Sequence, residues 1–312
     1  MRQIAREEST SHYTANTVEL KIPAESAGQR LDVALQRLLP EYSRARIQAW
    51  LKAGQIRVDG RLLAPKALVC GDECVRVNVT PQPGDQAFTA EAIALEIVFE
   101  DRALIVINKP AGLVVHPGSG NWSGTLLNAL LHHAPELAAI PRAGIVHRLD
   151  KDTSGLMVVA RSLSAQTDLV RQLQARTVRR EYLALVHGIV ARDGEVDASI
   201  GRHPTQRTKM AVVERGRSAR TFYEVIERYA RHTLVRCRLE TGRTHQIRVH
   251  MQSIGHPLVG DPVYGARSLG PKFARQALHA EHLALVHPDG GVPMEWRAPL
   301  PEDMRSLIDT LQ

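Results

Sequence analysis

The feature that most limits the fold is an uninterrupted series of β-like segments. Runs at 209–213, 219–226 and 233–239 follow a strand-like stretch at 179–188, joined by short loops with no helical period between them. Parallel strands need long crossovers, usually helical, whereas antiparallel strands need only turns. The order therefore predicts an α+β fold with a mixed, mainly antiparallel sheet rather than a doubly wound one. Runs at 95–99, 104–107, 278–285 and 294–296 are expected to add strands. Helices are expected at 126–132 behind Thr125, at 164–176 behind Ser164 with Leu169, Val170 and Leu173 inward, and from Pro301 to Leu311.

A second, smaller module precedes this block. Thr80-Pro-Gln-Pro-Gly84 and the polar run to Thr89 read as a boundary. The expected division is a disordered tail at 1–17, a small domain at 18–80, a linker at 81–91 and a large domain at 92–312. Leu31, Ala34, Leu35 and Leu38 give one apolar helical face, stopped by Pro40. Ser43 is the expected cap of a helix over 44–52 that turns Ile47, Trp50 and Leu51 inward. The turn Asp59-Gly60 between 56–58 and Arg61-Leu62 predicts a tight hairpin, and 74–79 alternates as a strand. Arg44, Arg46, Lys52, Arg57, Arg61 and Lys66 fall on the second helix and the hairpin, where the plain reading is a solvated charged face.

The chemistry concentrates in Gly144-Ile-Val-His-Arg-Leu-Asp-Lys-Asp-Thr-Ser-Gly155, which runs into the apolar Leu156-Met-Val-Val-Ala160. A polar loop leading into a buried strand is predicted, with glycines where the backbone turns sharply. Asp150 and Asp152 lie among His147, Arg148 and Lys151. A carboxylate beside such cations stays ionised and can serve as nucleophile, base or ion-pair anchor. The same cations oppose a divalent metal, and His245 and His250 are five apart rather than stacked at i, i+4, so no metal is expected. Neither a phosphate-binding Gly-x-x-x-x-Gly-Lys-Ser/Thr loop nor a Gly-x-Ser-x-Gly elbow occurs, and no cofactor is expected. The net charge of +7 favours a polyanionic partner, while an aromatic content of 4% argues against broad platforms for stacking unpaired bases. Cys70, Cys74 and Cys237, odd in number and sparse, fit a reducing compartment, and Cys70 and Cys74 read as small core residues. With no signal-type or membrane-length apolar run, a soluble cytoplasmic monomer is expected.

His147-Arg-Leu-Asp-Lys-Asp-Thr-Ser-Gly155 resembles the signature of the RluA-type pseudouridine synthases. Arg180-Glu-Tyr182 and Thr241-Gly-Arg-Thr-His-Gln-Ile-Arg248 follow in that family's order, and Asn108-Lys-Pro110 resembles its entry motif. The small domain resembles the S4 RNA-binding domain. The resemblance implies that Asp150 is the nucleophile, attacking either ribose C1′ or uracil C6. It implies that Tyr182 stacks on a flipped uracil, that Arg248 pairs with Asp150, that Ile247 packs near the base, and that Arg148, beside His147, fills the gap left by the extruded nucleotide. Arg44, Arg46, Lys52 and Arg57 would meet RNA phosphates, contacts that position rather than specify. Pro141-Arg-Ala-Gly144 and Leu258-Val-Gly-Asp-Pro-Val-Tyr-Gly265 bring the chain nearest the D-type branch, implying large-subunit (23S) ribosomal RNA as substrate, in the helix-69 stem-loop. Two rival readings stand beside it: a catalytically idle RNA-binding or ribosome-assembly factor that keeps the fold, against which the intact Asp150, Tyr182 and Arg248 argue, and a hydrolase using Asp150 and Asp152 as a general acid–base pair. Two carboxylates flanked by cations are poorly placed to raise one pKa.

Overall fold

The computed structural model describes residues 16–40, 42, 44–79, 88–118, 121–206, 208–265 and 273–312. Two compact units emerge, Met1–Gln86 and Ala87–Gln312. In the first, β1 (Asn16–Lys21), α1 (Leu31–Leu38), α2 (Arg44–Lys52), β2 (Ile56–Val58) and β3 (Cys74–Val79) follow one another. The strands form an antiparallel sheet in the order β1-β3-β2. Leu31 and Leu35 of α1 and Ile47, Trp50 and Leu51 of α2 bury against Ile56, Val75 and Val77. Asp59 and Gly60 both take positive φ, and Val58 and Arg61 exchange two 2.9 Å backbone hydrogen bonds across them. That is the expected two-residue turn. Its return leg stops there, however, and β2 pairs along its length with β3 instead.

Several expectations are corrected in this unit. Asn16 and Thr17 belong to β1 rather than to a tail, because both pair with β3. Cys70 and Cys74 are exposed, not core. Cys74 shares the outward face of β3 with Arg76 and Asn78, while Val75 and Val77 face inward. Residues 1–15 of the expected tail, the expected cap Ser43 and residues 81–87 of the expected linker lie outside the described residues.

The second unit contains β4 (Ile97–Glu100), β5 (Leu104–Lys109), α3 (Leu126–His133), β6 (Ser154–Ala160), α4 (Leu163–Gln174), β7 (Arg179–His187), β8 (Gly194–Asp197), β9 (Ile200–Arg202), β10 (Met210–Val212), β11 (Arg220–Arg228), β12 (His232–Leu239), α5 (Gln246–Ser253), β13 (Leu278–Val286), β14 (Pro293–Arg297) and α6 (Glu302–Asp309). Nine strands form one sheet, ordered β4-β5-β6-β13-β7-β12-β11-β8, with β14 also on β13. Its pairings are antiparallel except where β13 meets β6. The mixed, mainly antiparallel α+β architecture is thus present. Both faces are covered: Ile105 and Ile107 pack with Leu126 and Leu130 of α3, while Leu104 and Val106 pack with Ala165 and Leu169 of α4. Burial on both faces explains why β5 and β6 read as continuous apolar runs.

Here too the sequence misplaced some boundaries. The segment at 209–213 leaves the main sheet and pairs with β9 as a two-stranded ribbon. Ser162, not Ser164, caps α4, accepting from Ala165 N at 3.1 Å. Part of the expected linker is built into this unit, since Glu91 N donates to Asn128 O and Asn128 Nδ2 donates to Thr89 O.

Asp32 is the buried polar centre of the N-terminal unit, its carboxylate accepting from Arg30, Arg44 and Gln48. Asp32→Ala should cost roughly 2–3 kcal/mol, as expected for losing hydrogen bonds to charged groups. Urea denaturation followed through Trp50 fluorescence checks this, and an unchanged midpoint would refute it.

Candidate active site

The stretch around Asp150 is a loop whose backbone is fixed from outside. Thr153 N donates to Asp150 O at 3.1 Å, closing a turn. The carbonyl of Lys151 accepts from Gly112 N and from Lys109 Nζ, at 3.0 and 2.9 Å. The carbonyl of Asp152 accepts from Arg275 Nη1, and Thr153 Oγ1 from Gln276 Nε2, both at 3.1 Å. Lys109 is fully buried and spends its three ammonium protons on the carbonyls of Pro110, Leu113 and Lys151. Burial draws its pKa down to about 7, and the charges of Asp152 and Asp150 oppose that fall. Two residues past the loop, Gly155 enters β6 with φ 112°, where an added Cβ would lie 2.3 Å from Ala280 O. Only glycine lets β13 run this close to the loop's exit.

Helix α5 brings the second half of the site. Gln246, its first residue, is locked by Thr241 Oγ1 and Arg243 N on one side and by Arg220 O and Thr221 Oγ1 on the other. Arg248 then points inward, with Nη1 donating to Asp150 Oδ2 at 2.8 Å. Its other edge is held by Asp261, through Nε to Oδ2 at 2.7 Å and Nη2 to Oδ1 at 2.9 Å. Burial works against the Arg248 charge, yet the two carboxylates raise its pKa above the ordinary arginine value. Burial likewise opposes the Asp261 charge, but Arg248 and the backbone N–H groups of Tyr264 and Val263 hold its pKa down. His245, in left-handed conformation at φ 56°, approaches Asp150 Oδ1 at 3.9 Å and bonds the Tyr264 hydroxyl at 2.8 Å.

These groups open onto a cavity of about 590 Å³. Asp150, Tyr182, Ile247, Arg248, Arg148 and His147 all line it, so the residues expected in one site from distant motifs do come together. Their states differ. Tyr182 and Ile247 are buried, and burial raises the Tyr182 pKa so that it remains a phenol. Arg148 is exposed. His147 is half-buried and its Nε2 accepts from Val158 N at 3.1 Å, so the ring is neutral and that nitrogen is spent on structure. Burial, reinforced by Arg180, pushes its pKa down to about 3. In the N-terminal unit, Lys52 and Arg57 are exposed as expected. Arg44 instead bonds Asp32, and Arg46 stacks over Tyr42 and Trp50 at 4.9 and 4.6 Å. Sequence reading missed Asp261, His245, Lys109, Arg275 and Arg180. For Arg180 a signal existed, since it stands two residues before Tyr182 on a strand and so shares its face.

The profile of the RNA pseudouridylate synthase family matches residues 103–253, and that of the S4 domain matches residues 29–73. A Nitrosomonas europaea protein called ribosomal large subunit pseudouridine synthase D is 57% identical over 309 residues, covering 97% of this chain and 90% of its own. Its namesake in Escherichia coli strain K12 is 52% identical over 298 residues, 91% of each chain. Among solved structures, human RNA pseudouridylate synthase domain containing 1 superposes with a TM-score of 0.55 at 28% identity, over 71% of this chain and 96% of that one.

The buried imidazoles give the fold a defined acid sensitivity. Burial, with Arg148 and Arg142, also lowers His116, to about 4. Folded, His147 and His116 stay neutral below pH 6.5; unfolded, both protonate near 6.5. The unfolded chain therefore binds more protons in this window, and stability should fall as pH drops from about 6.5 towards 4. Urea midpoints across this range should flatten in His147→Gln, and an equally steep profile would exclude His147 as a cause.

Proposed function

The chain belongs to the RNA pseudouridylate synthase family, and from that premise we propose that it isomerises uridine to pseudouridine in large-subunit (23S) ribosomal RNA, in the helix-69 stem-loop, with Asp150 as nucleophile. The observation that carries this reading is the 2.8 Å contact between Arg248 Nη1 and Asp150 Oδ2, with Arg248 itself clamped by Asp261. A nearby guanidinium keeps a carboxylate ionised and oriented, as a nucleophile requires. The large-subunit names of the relatives at 52–57% identity support the choice of RNA.

The reaction breaks an N–C glycosidic bond and remakes it as C–C with the same base, so it consumes no phosphate donor, metal or redox partner. The site has to receive an extruded nucleotide, detach the uracil, keep it from diffusing, rotate it and return it. Asp150 attacks either ribose C1′ or uracil C6. Tyr182 stacks on the base and Ile247 packs beside it, giving an apolar slot in which a planar ring can turn. Arg148, exposed at the cavity, fills the place the nucleotide leaves in the stack, offsetting the few kcal/mol that extrusion costs. Lys52 and Arg57 in the S4 domain supply phosphate contacts that hold the RNA without reading its sequence. Among the described residues no helix is long and apolar enough to cross a membrane.

The decisive test is tritium release from stem-loop RNA labelled at uracil C5, with the modified positions mapped. Asp150→Asn should abolish release, and modification outside helix 69 would refute the substrate assignment. Arg248→Ala should lower turnover by roughly 10²-fold or more while RNA affinity changes little, because it orients the nucleophile rather than the RNA. Equal losses in both would make Arg248 a phosphate ligand. Lys52→Glu and Arg57→Glu should weaken binding across all RNAs and reduce the salt slope by about one each.

A further inference from the structure

Strand β7 sends alternate side chains to opposite faces. Glu181 lies on one, bonded by Arg179 Nε at 2.6 Å, with His282 Nδ1 3.3 Å away. Arg180 and Tyr182 lie on the other, and both line the cavity. Arg180 is only 7% exposed, yet among the described residues its guanidinium meets neither carboxylate nor carbonyl, and its buried Nε makes no hydrogen bond. The cavity's other well-buried arginine, Arg248, is shared between two carboxylates, and Arg275, which ties down the Asp150 loop, is paired with Asp303. A buried cation without a counter-ion is costly to keep. Gly242 leaves it the space, for a Cβ there would stand 2.8 Å from Arg180 Nη1. Its field reaches both His147 and Tyr182, lowering the pKa of each against or alongside the effect of burial.

We propose that Arg180 is a further catalytic residue, which binds the carbonyl oxygens of the uracil ring and neutralises the negative charge that ring carries during isomerisation. The proposal rests on reading the cavity as the site of uridine isomerisation. Charge reaches the ring by either route. If Asp150 attacks C1′, an Oδ–C1′ bond forms and C1′–N1 breaks, its electron pair leaving with uracil as a monoanion spread over N1, O2 and O4. If Asp150 attacks C6, an Oδ–C6 bond forms and the C5–C6 π pair is displaced to an enolate on O4; C1′–N1 then breaks with its electron pair left on N1, as the enolate carbon C5 takes over C1′. On recapture C5 bonds to C1′, Asp150 departs as carboxylate, and the C5 proton is lost as N1 gains one, so no co-reactant is needed. A fixed donor aimed at developing charge in a water-poor cavity lowers that barrier. Of the buried cations at the site, Lys109 and Arg248 are already committed to other acceptors. Arg180 is free to take this role.

Single-turnover tritium release at saturating stem-loop RNA tests the assignment, with Asp150→Asn alongside. Arg180→Gln should lower the rate by about 10²–10³-fold, the usual loss for one donor to a developing oxyanion, with Kd within about threefold. Arg180→Lys should recover part of that loss, and guanidinium ion should restore Arg180→Ala. With 5-fluorouridine as target, whose ring bears negative charge more readily, the deficit of Arg180→Gln in consuming the nucleoside should narrow. Weaker binding, a shallower salt dependence and a normal rate at saturation would overturn the proposal in favour of a phosphate contact. A rate loss that neither guanidinium nor 5-fluorouridine reduces would overturn it in favour of a packing role. Release that persists in Asp150→Asn would instead sink the reading of the cavity itself.

Discussion

Arg248 stands between two carboxylates that play unequal parts. Asp261 is fully engaged, taking both Nε and Nη2 of Arg248 and the backbone N–H groups of Val263 and Tyr264. Asp150 takes one strong bond from Arg248 and only a 3.9 Å approach from His245. The planar guanidinium explains the division, because its Nε–Nη2 edge fits one carboxylate in a fork and leaves Nη1, on the other side, to reach a second with one N–H. Asp261 thus fixes Arg248, and Arg248 fixes Asp150 without saturating it. A carboxylate bonded on both oxygens would be well placed but unreactive. One tethered through a single oxygen keeps a free lone pair facing the cavity.

That arrangement works only if the loop bearing Asp150 cannot drift, and the loop is held almost wholly through its backbone. Lys109 matches three donors to three carbonyls, while Arg275 joins the Asp152 carbonyl to Asp303 on α6. Gln276 adds the Thr153 hydroxyl. Two chain segments distant in sequence, 109–112 and 275–276, therefore converge on three successive residues of the loop. Carbonyl acceptors are common to all residue types, so the loop's own side chains say nothing about who holds it.

What was legible in the sequence follows the same division. Helices α1 and α2, the Asp59-Gly60 turn and the Thr125 cap depend on neighbours within a few residues, and periodicity or turn chemistry exposes them. The gathering of Asp150, Tyr182 and Arg248 was legible only through the resemblance carried by their motifs. Arg44 looked like a free surface cation because nothing local marks Asp32 as its partner, whereas Arg46 stands four residues from both Tyr42 and Trp50, a spacing that was there to be read. Cys70 and Cys74 looked like core residues by type, but strand phase and turn position outweigh type. Asp261 passed as one more turn residue, since its role arises only when the turn reaches α5. Ser162 and Ser164 are both competent caps, and they bond each other at 2.9 Å; the helix start follows whichever hydroxyl meets the Ala165 N–H.

Strand β7 brings these levels together. Cross-strand pairing with β12 sets Tyr182 opposite Cys237, and pairing with β13 sets Glu181 opposite His282. With neighbours on both sides its register is fixed twice, and a slip of one residue would exchange its faces. Arg180 and Tyr182 would then leave the cavity, and Glu181 would enter it beside Asp150. Two anions there would oppose each other's ionisation and contend for the Nη1 side of Arg248. The pairing of Glu181 with Arg179 and His282 on the far face does more than satisfy buried charge. It makes the wrong register electrostatically costly, so the contacts behind the sheet help decide which charges stand in front of it.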